Sequence, residues 1–404
     1  MSAPAPCERP KLAFIVTEDW YFWSHRLPSA RAAQGLGYEV VLITRVGPYR
    51  DRIRAVGVEV VPWSVRRAGL GPISELRSIL ALARLLRAHR PSVVHNVALK
   101  PAIYGTIAAK LTRIPAIVNS VTGFGFLFAS GKIVASATGY CLLHLLRLLS
   151  RSQRVITICQ NEDDAALIFR RGPRAGLRII RGSGVDVRHF TPTPEPAPPP
   201  VAVLVGRMLW EKGVGDLVEA AMLLKERGSA LRIVLVGPID EENPGAIREA
   251  TLLSWHHQGL IEWRGARDDI AEIWKEAHIA VLPSHREGLP KALLEAAACA
   301  RPIVTTNVPG CREVVTDGIT GLLVPPRDPQ ALASALDRLA TSPILRARMG
   351  EAGRAKVVAE FANEVVMEKV SAVYEEVGKW AVRVTPRCAV ARRSPVQPTK
   401  TLRR

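Results

Sequence analysis

The chain has 404 residues, of which 48% are hydrophobic, and its formal net charge is +18. This length exceeds that of one usual hydrophobic core, so we expect a globular protein of two domains. Its six cysteines are scattered without a CxxC pair, which argues against a zinc site or a disulfide framework and indicates a reducing, cytosolic compartment.

The positive charge is unevenly distributed. Residues 1–200 carry 27 basic and 12 acidic groups, residues 201–377 carry 20 and 25, and residues 378–404 carry 8 and none. A one-sided basic surface usually meets nucleic acid or the anionic face of a membrane. No RNP, helix-turn-helix or finger pattern occurs and aromatic residues make up only 5%, so an anionic membrane surface is the expected partner and nucleic acid is not.

The N-terminal residues lack the apolar stretch of a signal peptide. The most apolar window, residues 133–149, is interrupted by His144 and Arg147 and is too short to span a bilayer. We therefore expect a cytoplasmic protein that is peripheral at the inner face of the plasma membrane.

The first half of the chain alternates between strand and helix patterns. An apolar run at Lys11–Thr17 is followed by a loop, a helix expected at Ser24–Gln34 and a strand at Glu39–Thr44. Further strands are predicted at Val58–Pro62, Val93–Asn96, Ala116–Asn119 and Val155–Ile158. This alternation predicts one doubly wound domain over residues 11–190. Its first loop carries no GxGxxG, so a dinucleotide-binding site is not favoured.

A proline-rich segment at residues 191–200 reads as a stiff, extended linker. Alternation then restarts, with apolar runs at Val201–Val205, Leu231–Gly237, Ile279–Ser284 and Arg301–Thr306. We expect a second domain at 201–362, a helix at 363–378 that packs back on the first domain, and a disordered basic tail at 379–404. The predicted fold class is α/β, with two Rossmann-like doubly wound domains facing a central cleft, where ligands of such sheets bind.

Two carboxylates stand out in the second domain, Glu287 and Glu295, eight positions apart. A helix from about Glu287 to Ala300 would place them on one face, roughly 12 Å apart, which suits one group near a sugar and one near a ribose. Gly288 and Pro290 would open this helix, where free backbone N–H groups can hold a phosphate. The alternative is an ordinary amphipathic helix.

Cations follow the first strand of the same domain. Gly206 and Arg207 end the run Val201–Val205, and Lys212 lies a short loop further on. Arginine offers a bidentate fork and lysine a point charge, a pairing suited to a diphosphate. The alternative is that both are solvated loop charges.

These motifs resemble a known family. The Gly206–Gly213 segment, the E-x7-E spacing in EGLPKALLEAAA and the run from Pro309 to Pro329 resemble the retaining glycosyltransferases of the GT-B fold, carbohydrate-active family four. The resemblance covers roughly residues 11–378. Three further segments, at residues 100–111, 118–128 and 181–192, are similar to bacterial enzymes that extend sugars on undecaprenyl diphosphate.

The resemblance implies a role for each donor-site residue. Arg207 and Lys212 would hold the donor diphosphate and support its departure, Glu287 would lie near the transferred sugar, and Glu295 would bind the ribose hydroxyls. The backbone at Gly206, Gly288 and Leu289 would face the donor. Many relatives carry histidine in a VHG triplet where this chain has Thr122, and we expect Thr122 on the acceptor side of the cleft.

No D-x-D triplet occurs, and Arg207, Lys212 and helix N-terminal amides can neutralise the leaving diphosphate, so a metal-independent reaction without a cofactor is expected. For the resembling enzymes the anomeric configuration is retained, by front-side attack in which the leaving phosphate helps to deprotonate the acceptor.

The first domain is expected to bind the acceptor. His25 and Arg26 in the first loop, and His95 and Lys100 around the strand at Val93–Asn96, are predicted to face the cleft; for both histidines an ordinary hydrogen-bonded position is the alternative. The segment from Gly125 to Ser150 could seat on a bilayer surface or form a buried core helix.

The sequence therefore predicts a hexosyltransferase. Its donor would be a nucleotide sugar, UDP-hexose or UDP-N-acetylhexosamine, and its acceptor a lipid-linked sugar on polyprenyl diphosphate in cell-surface polysaccharide biosynthesis. The alternatives are another GT-B enzyme, such as a sugar-nucleotide epimerase or a phosphorylase, and a basic nucleic-acid-binding protein.

Overall fold

The computed structural model describes residues 9–65, 71–122, 133–169 and 174–384. Within these residues the first half of the chain forms a seven-stranded parallel sheet in the order β3-β2-β1-β4-β5-β6-β7. The strands are β1 Lys11–Glu18, β2 Glu39–Arg45, β3 Val58–Pro62, β4 Val93–Val97, β5 Ala116–Val121, β6 Val155–Cys159 and β7 Leu177–Ile179. Strands β4, β5 and β6 are buried at every position, as expected of parallel strands covered on both faces.

Helices follow the strands of this first sheet. They are α1 Asp19–His25, α2 Leu27–Gly35, α3 Arg50–Ala55, α4 Pro72–His89, α5 Leu99–Leu111, α6 Ile133–Ser150 and α7 Glu162–Ile168. The helix expected at Ser24–Gln34 is divided at Arg26, which ends α1 with φ −122° and ψ −6°. Pro28, in the first turn of α2, cannot donate a backbone hydrogen bond to the preceding turn, so a new helix begins there.

The second half forms a six-stranded parallel sheet in the order β10-β9-β8-β11-β12-β13, counted over the described residues. Its strands are β8 Val201–Val205, β9 Arg232–Val236, β10 Glu262–Trp263, β11 Ile279–Leu282, β12 Ile303–Thr306 and β13 Gly321–Val324. The accompanying helices are α8 Val214–Glu226, α9 Glu249–His257, α10 Ile270–Glu276, α11 Lys291–Ala298, α12 Cys311–Val314, α13 Pro329–Ala340 and α14 Pro343–Glu360.

The segment between the sheets is held by ion pairs and hydrogen bonds. The Nε and one terminal amino group of Arg346 each donate to a carboxylate oxygen of Glu195 at 2.8 Å, and an Arg301 amino group donates to the Thr193 hydroxyl at 2.7 Å. The proline-rich segment is thus fastened to α14 through Glu195 and to the loop before β12 through Thr193.

The last described helix, α15, spans Asn363–Val384. Val366, Val370, Val373, Tyr374 and Val377 share a buried cluster with β1, β2 and α2 of the first domain. The helix continues beyond Gly378, where disorder was expected to begin, because its apolar face still packs there and Ala381 is buried. Residues 385–404 of the predicted tail lie outside the described residues.

Each sheet reverses its strand order at one point. In the first sheet the reversal lies between β1 and β4, and in the second between β8 and β11. Helices leave these neighbouring strands in opposite directions, so a crevice opens at their carboxyl ends, where ligands of doubly wound sheets bind. Arg207 follows β8 and Glu287 follows β11, so the predicted donor residues flank the crevice of the second sheet.

Of the helices in the described ranges, none is long and apolar enough to cross a bilayer. The predicted bilayer-seating segment is described only from Ile133 onward, as α6, where Leu143 and Leu146 are buried in the first domain's core.

Candidate active site

The two predicted diphosphate-binding cations are held by carboxylates. An Arg207 amino group lies 2.5 Å from Asp240 Oδ2, and Lys212 Nζ lies 2.5 Å from Glu287 Oε1. The side chains of Arg207 and Lys212 are 30% and 19% exposed. They are therefore fixed, partly buried groups, unlike the solvated loop charges of the alternative interpretation.

The backbone around Lys212 requires glycine. Lys212 ends a short 3₁₀ turn, and Gly213 follows in the left-handed region with φ 71°. A Cβ on Gly213 would lie 2.0 Å from the carbonyl oxygen of Pro283. This close approach brings the Lys212 turn against the loop after β11, which is how Lys212 reaches Glu287.

Glu287 is not on a helix, and the prediction that it shares a helical face with Glu295 is wrong. The helix α11 begins at Lys291, with Pro290 as its N-cap in an extended conformation. A residue before proline is disfavoured in the helical region, so Leu289 cannot continue a helix from Glu287. Glu287 Oε1 instead accepts hydrogen bonds from Lys212 and, at 2.7 Å, from the Ser284 hydroxyl.

Gly288 is pressed against the first domain. A Cβ at this position would lie 2.2 Å from the backbone oxygen of Thr122 and 2.7 Å from Gln160 Oε1. The Asn161 amide donates to the Gly288 carbonyl at 2.9 Å. The strand-end residue Thr122 therefore meets the loop that carries Glu287 and Gly288 through its backbone, whatever side chain the triplet carries.

Glu295 lies on the second turn of α11 and is 9% exposed. Lys291, one turn earlier, lies 3.4 Å away and also donates to the Ser24 carbonyl in the first domain at 2.6 Å. Burial raises the pKa of Glu295, and Lys291 opposes that effect. Lys291 thus links Glu295 to the first domain across the cleft.

His25 lies on that opposite wall. Its Nδ1 is 2.6 Å from the Ser24 hydroxyl, and its ring stacks on Tyr21 with centroids 4.3 Å apart. Burial, and then the positive charges of Lys291 and other cleft cations, lower the pKa of His25 well below its usual range. The imidazole is therefore neutral at physiological pH and can exchange hydrogen bonds without adding charge to the site.

Arg26 is a buried cation without a carboxylate partner among the described residues. It is 5% exposed, and its Nε finds no hydrogen-bond partner in that part of the chain. It lines a small pocket with Ser120, Gln160 and Gly182. An unpaired buried charge is unfavourable, so this pocket suits an anion or a strong hydrogen-bond acceptor.

His95 and Lys100 are already engaged. His95 is fully buried, with Nδ1 2.7 Å from the Tyr374 hydroxyl and Nε2 2.7 Å from the Ser120 hydroxyl. Both ring nitrogens are used, so His95 joins α15 to the first sheet and leaves no atom for the predicted acceptor contact. Lys100 Nζ lies 3.0 Å from Glu75 Oε1, an ion pair that holds α5 to α4.

Sequence reasoning missed the groups that hold the predicted residues. Asp240 follows β9, the neighbour of β8, and Asn161 follows β6 as the N-cap of α7, so their positions at strand ends were the available signal. Gly310 was visible only as part of the run from Pro309 to Pro329; a Cβ at this position would lie 2.5 Å from the Gly288 carbonyl oxygen. Across the described residues, no group of three or more histidine, cysteine, aspartate or glutamate side chains could hold a metal ion.

Two family models match the chain. Glycosyl transferase 4-like matches residues 11–161, and Glycosyl transferases group 1 matches residues 199–342. Together they include every strand of the two sheets except β7, and all the predicted site residues from His25 to Glu295.

Characterised relatives match over most of their length. N,N'-diacetylbacillosaminyl-diphospho-undecaprenol alpha-1,3-N-acetylgalactosaminyltransferase of Campylobacter jejuni is 25% identical, covering 91% of this chain and 99% of that protein. UDP-Gal:alpha-D-GlcNAc-diphosphoundecaprenol alpha-1,3-galactosyltransferase of Escherichia coli is 26% identical, covering 81% of this chain and 86% of that protein.

Solved structures share the architecture. Sucrose-phosphate synthase from Thermosynechococcus elongatus superposes with a TM-score of 0.76 at 19% identity, covering 92% of this chain and 100% of the other. Anabaena HepE in complex with UDP and glucose superposes with a TM-score of 0.72 at 16% identity, covering 91% and 99%. At these identities the likeness establishes the fold alone.

Proposed function

Because the chain belongs to the group 1 glycosyltransferases of the GT-B fold, we propose that it moves a sugar from UDP-hexose or UDP-N-acetylhexosamine to a sugar carried on a polyprenyl diphosphate. The main support for this proposal is the ion pair at the crevice of the second sheet, in which Lys212 Nζ lies 2.5 Å from Glu287 Oε1. Both relatives named above act, by their names, on sugars linked to undecaprenyl diphosphate, which supports the same acceptor class in cell-surface polysaccharide biosynthesis.

The donor diphosphate is proposed to bind Arg207 and Lys212. Asp240 and Glu287 hold these cations in position, so little reorganisation would accompany charge development on the leaving group. Such preorganised electrostatic stabilisation is commonly the largest catalytic contribution. Gly206, Gly288 and Leu289 would contribute backbone groups, and Glu295 would bind the ribose.

The chemistry requires no covalent enzyme intermediate. The bond between the donor sugar's C1 and the β-phosphate oxygen breaks, and its electron pair goes to the diphosphate. The acceptor hydroxyl oxygen bonds to C1 on the same face, and its proton passes to the departing phosphate, so the configuration is retained. Glu287, held by Lys212 and Ser284, would position the sugar for this step.

The acceptor is proposed to approach along the first domain near His25, Arg26 and Thr122. His25 is neutral and Arg26 is an unpaired buried cation, so this wall can receive hydroxyl and anionic groups together. His95 is left out of the proposed contact surface because both of its ring nitrogens are already bonded, and Lys100 is left out because its ammonium group is paired with Glu75.

Acceptor-dependent release of UDP tests the proposal. The full chain is incubated with a panel of UDP-sugars, with and without a short-chain polyprenyl diphosphate sugar, and free UDP and sugar products are measured. UDP release that occurs only with the acceptor supports the transferase. Interconversion of the nucleotide sugar without acceptor would indicate an epimerase, and release of sugar phosphate on adding inorganic phosphate would indicate a phosphorylase.

We propose that the protein associates peripherally with an anionic membrane surface. The acceptor is lipid-borne, and residues 1–200 hold 27 basic groups against 12 acidic ones, an excess suited to an anionic surface. Retention on anionic vesicles supports this partner. Binding to nucleic acid in preference to vesicles would contradict it.

A further inference from the structure

The outer face of α4, in the first domain, carries an unusual set of side chains. Ile73, Leu76 and Leu80 are 69%, 56% and 42% exposed. Arg77, Arg84 and Arg87 on the same helix are exposed as well. At about 100° per residue, these six positions fall within an arc of about 100°, so they form one surface, here called the α4 stripe.

The rest of α4 explains why this stripe faces outward. Leu82 and Leu86 are completely buried in the first domain's core, and they lie on the opposite side of the helix. The acidic residue of the helix, Glu75, also faces inward, where it pairs with Lys100 at 3.0 Å. The stripe therefore combines apolar and cationic side chains with no carboxylate from α4 among them.

The apolar end of the stripe lies at the cleft side of the domain. Glu75 in the first turn of α4 pairs with Lys100 in the first turn of α5. Because α5 follows β4 within two residues, this contact lies at the carboxyl ends of the parallel strands, the edge that faces the cleft. Ile73 and Leu76 are in the same two turns of α4, whereas Arg84 and Arg87 lie toward the far end of the helix.

We propose that the α4 stripe docks the enzyme on an anionic lipid bilayer. Helices that lie in a membrane interface present apolar side chains to the acyl boundary and flank them with lysine or arginine. Arginine stems can lie along the apolar surface while their guanidinium groups reach lipid phosphates. This inference rests on the proposed lipid-borne acceptor, which would then leave the bilayer beside Ile73 and Leu76 and reach the cleft directly.

A second copy of the chain fits this surface less well. Two-fold pairing would bring Arg77, Arg84 and Arg87 of both copies together without an acidic residue of α4 to balance them. Three apolar side chains also cover much less than the roughly 800 Å² per partner of a standard interface. Charge complementarity thus favours an anionic bilayer.

Vesicle binding with matched variants tests the proposal. The full chain is sedimented with vesicles of phosphatidylglycerol and phosphatidylcholine, and with pure phosphatidylcholine vesicles. The pair Ile73→Ser/Leu76→Ser should lower binding to the anionic vesicles by about tenfold or more. The pair Arg84→Gln/Arg87→Gln should lower it by a similar factor, since each cation near an anionic surface contributes appreciably, and should leave binding to neutral vesicles unchanged.

The control is the pair Ile344→Ser/Arg348→Gln on α14 of the other domain. Ile344 is 84% exposed and Arg348 is exposed one turn later, so the same residue types are removed from a surface that lies outside the proposed stripe. Wild-type binding is expected for this control. Equal loss in control and stripe variants, or no loss in the stripe variants, overturns the proposal.

Two further measurements separate this proposal from the proposed function. Stripe variants should keep wild-type UDP release with a short-chain acceptor in free solution, because the stripe does not contact the donor site. Absence of acceptor-dependent release from the wild type would defeat the proposed function and leave the vesicle result to stand by itself. A dimer that the Ile73→Ser/Leu76→Ser pair abolishes, together with no vesicle binding by the wild type, would assign the stripe to self-association and overturn membrane docking.

Discussion

Replacement of Lys212 by methionine tests the Lys212–Glu287 ion pair of the proposed donor site. Methionine keeps most of the side-chain volume and removes the charge that lies 2.5 Å from Glu287 Oε1. The variant loses the proposed attraction for the donor diphosphate. It also leaves the Glu287 carboxylate, 10% exposed, without its nearest cation.

Two effects of different size should follow. Loss of one preorganised electrostatic donor lowers kcat by about 10²–10³, which is the expected catalytic effect. Removing one partner of a fully buried pair costs about 3–5 kcal/mol; because both side chains keep some exposure here, we expect a loss of about 2 kcal/mol in the free energy of unfolding. Adding Glu287→Gln should restore most of this stability, since neither charge is then left alone, and should leave kcat low.

The assay is steady-state UDP release with the lipid-linked acceptor, accompanied by denaturant unfolding of each variant. Lys225→Met is the matched control, because Lys225 lies exposed near the end of α8; it should keep wild-type kcat. If Lys212→Met loses stability but keeps kcat within about threefold of the wild type, Lys212 is a structural counter-ion and the assignment to the diphosphate is refuted.

The remaining predictions concern residues with separable roles. Glu295→Gln should raise KM for the donor and leave kcat nearly unchanged, because a ribose contact is made equally in the ground and transition states. Burial raises the pKa of Glu295, so the stabilisation from its protonated form is present at acidic pH and is lost as pH rises through the raised pKa. The Glu295→Gln variant should therefore have a higher melting temperature than the wild type at neutral pH. A difference in melting temperature that does not depend on pH would contradict this. Gly288→Ala should lower kcat and destabilise the fold by about 1–3 kcal/mol, because the new carbon would lie 2.2 Å from the Thr122 carbonyl oxygen. The control in kinetics and thermal denaturation is Gly35→Ala, whose added carbon meets nothing within 4 Å. Arg26→Met should leave the free energy of unfolding unchanged or higher, since an unpaired buried charge is removed, and should raise KM for the acceptor; an unchanged acceptor KM would exclude Arg26 from the acceptor site.

Most strands were predictable from the sequence. The run Val58–Pro62 was predicted with the bounds that β3 has, and Glu39–Thr44 differs from β2 by one residue. Buried parallel strands are short apolar runs, and the polar or glycine residues that end them are visible locally. The cations after β8 were predictable for the same reason, because Arg207 lies two residues after the end of the strand.

Local signals were less reliable where two of them competed. The good helix formers around Glu295 led to the prediction of a helix that begins at Glu287, although Pro290 was visible in the sequence. Proline and the residue before it oppose helix continuation, and that restriction prevailed, so α11 begins at Lys291. Glu287 therefore lies in a loop and not on a helix, and it contacts Lys212 and Ser284 there.

The sequence by itself thus determined the α/β class, the order of the elements and the residues at the strand ends, because each depends on neighbours along the chain. Only the tertiary structure decided the partners of those residues. Lys212 meets Glu287 from 75 positions away, the Asn161 amide meets the Gly288 carbonyl from 127, and His95 meets Tyr374 from 279. Such pairs form because two sheets and the returning helix α15 pack together, and no local pattern of charge or hydrophobicity specifies which distant group will arrive at a given strand end.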